Sequence, residues 1–136
     1  MHDRDLVKEL LSQILKALDT VIYRFAPVKS LADLTDSPSG MEKLDAICMQ
    51  LIAIGEGLKN LDKITNNSLL HQYPEINWKG AKAMRDIISH HYFRILHSFE
   101  NLSLFCGPHI AGNFCNIGKF TFQFIESKGV QILSTP

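Results

Sequence analysis

Arg85, Asp86, Ser89, His90, His91 and Tyr92 fall close together in a helix-forming stretch, Trp78 to Tyr92, that also holds the chain's single tryptophan. A helix turns by about 100° per residue, so spacing converts into direction. Arg85, Ser89 and Tyr92 stand at i, i+4 and i+7 and share one face. Asp86 and His90 are four apart, a spacing at which a carboxylate can hold and orient an imidazole. A histidine with an unperturbed pKa near about 6.5 can remove or return a proton at neutral pH. An arginine can bind phosphoryl oxygens with its planar fork and stabilise charge that builds on them. The set therefore suits proton transfer around a phosphoryl group held by a guanidinium. On an ideal helix His90 lies about 140° round from Arg85. The two converge only if the helix ends near His90 or if a second copy supplies the missing partner.

The elements that must position these residues read as helices. Asp3 to Phe25 carries Leu6, Leu10, Ile14, Leu18, Val21, Ile22 and Phe25 at three- and four-residue intervals, with Asp3 as N-cap and Pro27 marking the end. Ser30 to Gly40 is rich in Asp, Ser, Thr, Pro and Gly and reads as a loop. A second helix is expected from about Met41 to Leu61, with a wide apolar face that predicts burial on more than one side. Gly55 and Gly57 lie within it at a cost of roughly 1 kcal/mol each against alanine. Such a pair marks close helix approach, in a tight bundle or a dimer. Thr65 to Ser68 reads as a helix start, Leu69 to Tyr73 as a short helical turn ended by Pro74, and Asn77 as the N-cap of the helix that carries the reactive residues. Three helical segments joined by short loops describe an all-α, up-and-down bundle, with a fourth helix if the tail adds one.

Order and spacing in this region carry a family resemblance. The pattern R-x4-H-x-Y, here Arg85, His90 and Tyr92, resembles the signature of the HEPN domains of the HepT toxin family. Tyr73-Pro74-Glu75-Ile76-Asn77-Trp78, followed by Ala83-Met84-Arg85-Asp86, is similar to that family's run before the motif. Ile54-Gly55-Glu56 resembles its "iGEA" segment, with Gly57 where alanine is usual. The resemblance covers roughly residues 1 to 93. It implies a HEPN-like helical domain whose copies pair about a two-fold axis, bringing both motifs into one cleft. It implies a metal-independent endoribonuclease in which Arg85 and His90 are catalytic; Asp86, spaced to orient His90, and His91, at a position the family leaves variable, are expected to be supporting at most. It also implies the toxin half of a type VII-like toxin–antitoxin pair. Its partner would be an MntA-like nucleotidyltransferase antitoxin that adenylylates the tyrosine of the motif, here Tyr92. In the expected reaction a 2′-hydroxyl of RNA attacks the adjacent phosphate while histidine moves the proton.

Composition bounds these expectations. At 136 residues with 46% hydrophobic and 21% charged residues, the chain has ordinary globular make-up and room for one small core. Formal net charge is zero, which argues against a strongly basic nucleic-acid binder but allows a local basic site. Lys79 and Lys82 stand at i and i+3 with Arg85 at i+6 and form a candidate RNA-binding line; a solvated charged face is the competing reading. Three cysteines (Cys48, Cys106, Cys115) without CxxC spacing indicate neither a disulfide framework nor a zinc site, and His2, His71, His97 and His109 give no metal spacing. No cofactor is expected. No apolar run is long enough for a membrane span and no signal-peptide layout opens the chain, so a reducing cytoplasm is the expected location.

Plainer roles compete at each position. Arg85 with Asp86 makes sense as a surface ion pair, His90 as a structural histidine, and Tyr92 as a core residue at a helix end. His91 reads as exposed or as a helper, and Trp78 as a core or interface anchor rather than a base-stacking platform. Glu56 either approaches the cleft or serves solvent or a cap. The alternative function is a non-catalytic HEPN module that handles nucleotide and associates with a nucleotidyltransferase. Residues 94 to 136 differ from the rest: they hold six of the eight phenylalanines, an alternation at Phe120, Phe122 and Phe124, and several glycines. A last helix is expected near 96–105, followed by an irregular segment that reads as a replaced C-terminus, as from a shifted reading frame, leaving an inactive variant as a third possibility.

Overall fold

A computed structural model describes residues 4–30 and 32–97. Helix α1 spans Arg4–Phe25, α2 is the short Ala32–Thr35, α3 runs Pro38–Ile64, and α4 runs Trp78–His97, with a 3-10 turn at Leu70–Gln72 between the last two. The described residues form an all-α fold with no strand. The expected last helix near 96–105 and the irregular tail fall outside them, apart from the end of α4.

Helix α3 is the central element, with α1 packed along one side and α4 along another. Both neighbours run antiparallel to it. Arg24 of α1 donates from Nη1 to the Ala46 carbonyl at 3.1 Å, while Ile14 lies against Gly57. On the other side Asp62 pairs with Lys82 and Lys59 with Asp86. The wide apolar face of α3 follows from this placement: Leu44, Ile47, Cys48, Leu51, Ile54, Leu58 and Leu61 are all buried. The core also takes Leu11, Ile14, Leu18 and Val21 from α1, Leu34 from α2, and Ala81 and Ile88 from α4. Each fully buried Leu or Ile stabilises the fold by about 1.5–3 kcal/mol relative to exposure.

The two glycines of α3 act in different directions. A Cβ on Gly55 would stand 2.9 Å from the Arg85 Cβ and 3.2 Å from the Arg85 backbone nitrogen. One on Gly57 would stand 2.9 Å from Ile14 Cγ1. Gly55 therefore lets α4 approach and Gly57 lets α1 approach, so the close approach foreseen from the sequence lies within one chain.

Several boundaries differ from the sequence reading. Helix α3 starts at Pro38, not Met41: Ser37 is its N-cap and accepts from the Gly40 N–H at 3.0 Å, and proline suits the first helical position because its missing donor is not needed there. Part of the expected loop is α2, in whose first turn the Asp33 carboxylate accepts from the Lys29 and Ser30 N–H groups at 2.8 and 3.1 Å. These two backbone donors hold the Asp33 carboxyl below its usual range. Thr65 to Ser68 ends α3 before leading into the 3-10 turn. Thr65 donates its hydroxyl to the Leu61 carbonyl at 2.7 Å, and Asn66 and Asn67 take left-handed conformations (φ 50° and 59°) that asparagine tolerates. On α1, Leu6 and Ile22 are about half exposed because the face that meets α3 centres on Leu11, Ile14, Leu18 and Val21.

Candidate active site on the α3–α4 seam

Three local devices fix the start of α4. Asn77 accepts the Gly80 N–H at 3.0 Å as the N-cap. Trp78 is buried and donates its indole N–H to the Tyr73 carbonyl at 2.9 Å. Ala81 packs in the core one turn on. Trp78 is thus a core anchor. These contacts set the rotation of α4, so that Ile88 points inward and Arg85 lies at the edge of the contact with α3.

A ladder of charges runs along that seam. Lys82 pairs with the nearly buried Asp62 at the first rung. One turn on, Lys59 of α3 donates to Asp86 Oδ2 at 2.8 Å. The other oxygen of the same carboxylate, Oδ1, accepts from Arg85 Nη1 at 2.8 Å. Arg85 also approaches Glu56, with Nε 3.4 Å from Oε2. Lys59 and Arg85 together hold the Asp86 carboxyl at about 2, well below the ordinary 3.8. The hydrogen bond to Asp86, with the charge of Glu56 beside it, raises Arg85 above its ordinary value.

The candidate residues thus meet different fates. Arg85 is partly exposed and held from two sides. Asp86 lies between Lys59 and Arg85, and among the described residues it makes no hydrogen bond to His90. His90 is exposed, and α4 continues past it to His97, so the helix does not end where Arg85 and His90 could converge within one chain. Lys79 is exposed near the start of α4, whereas the ammonium of Lys82 is engaged by Asp62. His91 and Tyr92 belong to the helical backbone of α4; their side chains lie outside the described residues. Glu56, ambiguous in the sequence, stands beside Arg85. Lys59 was missed altogether, although it follows Glu56 by three and Gly55 by four on α3, a spacing that places it on the face turned to α4.

Among the described residues no group of three or more His, Cys, Asp or Glu side chains is arranged to hold a metal ion, and no helix is long and apolar enough to cross a membrane. Cys48 is buried in the core, where it packs as a small apolar residue.

The sequence matches the profile of the family described as Ribonuclease HepT-like over residues 14–98. A putative RNase of Methanocaldococcus jannaschii is 40% identical over 50 residues, which covers 37% of this chain and 38% of that protein. The match thus spans well under two thirds of the relative. No solved structure matches the chain significantly.

Proposed function

Because the chain belongs to the HepT-like ribonuclease family, we propose that it is the toxin of a toxin–antitoxin pair and cleaves RNA internally without a metal ion. Arg85 binds the non-bridging oxygens of the scissile phosphate. His90 takes the proton of the 2′-hydroxyl, whose oxygen attacks phosphorus, and the 5′-oxygen leaves as its bond to phosphorus breaks. The departing oxygen needs a proton, and among the described residues of one protomer no second group is placed beside Arg85 and His90 to give it. In a two-fold dimer the partner subunit's His90 supplies it, because an isologous contact brings the same surface together twice.

The observation that carries this reading is the separation of Arg85 and His90 on an uninterrupted α4: Arg85 lies at the α3 seam, and His90 faces solvent. A helix that broke at His90 would allow a one-chain site; this one favours a site shared between copies. The same reading gives Tyr92, about two turns beyond Arg85, as the position adenylylated by a nucleotidyltransferase antitoxin. A bulky anionic AMP near the arginine would repel the RNA backbone.

The test is cleavage of a labelled RNA mixture by the full chain in excess chelator, beside Arg85→Ala and His90→Ala, after intact-mass measurement for bound AMP. Each substitution is expected to lower the rate by about 10²-fold or more. An unmodified, dimeric wild type that leaves RNA intact would replace this reading with the non-catalytic, nucleotide-handling module.

A further inference from the structure

Lys59 has no role in the proposed chemistry, yet its placement is closely tied to Arg85. It comes from α3, not from the motif helix, and its ammonium reaches across the seam to Asp86 Oδ2 at 2.8 Å while Arg85 Nη1 holds Oδ1 at 2.8 Å. One carboxylate thus sets the spacing of two cations that come from different helices. Two non-bridging oxygens of a phosphodiester present much the same pair of acceptors as a carboxylate does. Neither cation is fully used. An ammonium has three donors and a guanidinium five, and the contact with Asp86 takes one of each. Both head groups are partly open to solvent, with 36% and 40% of their side chains exposed.

We propose that Lys59 and Arg85, held one carboxylate apart by Asp86, form a two-cation clamp for the RNA backbone that straddles α3 and α4. Asp86 is the positioning residue of the clamp. Like any aspartate it is ionised throughout the physiological range, and Lys59 and Arg85 hold it ionised further into acid, so the spacing is kept before RNA arrives. The clamp differs in kind from the Asp62–Lys82 rung, where a nearly buried carboxylate engages the lysine.

This inference rests on the ribonuclease reading, and its test separates the two. The full chain carrying His90→Ala binds a fluorescent single-stranded RNA without cutting it, and its affinity is measured over a range of salt concentrations. Adding Lys59→Gln is expected to weaken binding several-fold and to flatten the slope of log affinity against log salt by about 0.7 for each lost lysine–phosphate contact. Lys59→Arg keeps the charge and is expected to restore the slope. Lys16→Gln on α1 makes the same change of net charge elsewhere and is expected to leave the slope as it was. All variants are compared well below their melting temperatures, which separates lost contact from lost fold. An unchanged affinity and slope in Lys59→Gln, with lowered thermal stability alone, would mean a purely structural ion pair and overturn the clamp while leaving the ribonuclease reading intact. Weakened binding of free AMP with unchanged binding of RNA would overturn it as well. A His90→Ala chain that binds no RNA at any salt overturns both.

Discussion

Arg85 meets solvent with its charge already balanced by Asp86 and Glu56, so under the proposed clamp an incoming phosphate would join an ordered set of charges instead of ordering a free side chain. The gain is preorganisation: less rotamer entropy is lost when the substrate binds. Asp86 is the centre of that set, and its titration gives a sign that can be checked. Its folded carboxyl lies at about 2 and its ordinary value at 3.8. The ion pairs therefore contribute their full stability above the ordinary value and lose it as pH falls from there through the folded value. Wild type is expected to melt above Asp86→Asn at pH 6, with the gap closing near pH 2 and shrinking in high salt, because the pairs are exposed. A gap that persists unchanged at pH 2 would mean that Asp86 acts through something other than its charge.

At the scale of the helix, Gly55 connects packing to chemistry. An added methyl there meets the Arg85 Cβ and backbone, which cannot swing away, whereas at Gly57 it meets the side chain of Ile14. Either alanine gains roughly 1 kcal/mol of helix propensity and loses about 1–3 kcal/mol to overpacking. Gly55→Ala is expected to be the more destabilised of the two and to show the larger loss of cleavage, because it displaces the arginine. Comparing rates at temperatures equally far below each melting point isolates that displacement. Equal residual rates would show that the seam tolerates the shift.

For the whole molecule the decisive quantity is how many copies make one site. If both motifs share a cleft, wild-type chains co-refolded with increasing fractions of His90→Ala are expected to lose activity as the square of the wild-type fraction, since only a dimer of two intact copies carries both histidines. A linear fall would mean that each protomer cuts alone, and would require Arg85 and His90 to cooperate along one continuous helix. The rigid antiparallel packing of α3 against α4 argues against that, because the core residues Ala81 and Ile88 fix the rotation of the helix between them.

The sequence by itself determined the three long helices, the cap at Asn77, the close approach at the paired glycines and the motif Arg85–His90–Tyr92, because each is signalled by residues within a few turns along the chain. It did not determine where α3 begins, since Ser37-Pro38 sits inside a run that looks like a loop until Ser37 is seen bonded to the Gly40 N–H. Nor did it reveal the partners of Arg85. Asp86 is adjacent in sequence, but Glu56 and Lys59 are separated from it by a turn and a helix end, and their place depends on the register of α3 against α4. That register is set by Gly55 and by which apolar residues reach the core. Only the tertiary structure decided that Lys82 is taken by Asp62 while Lys59 stands beside the arginine, because charges of the same type at similar spacings are distinguished by what the facing helix presents.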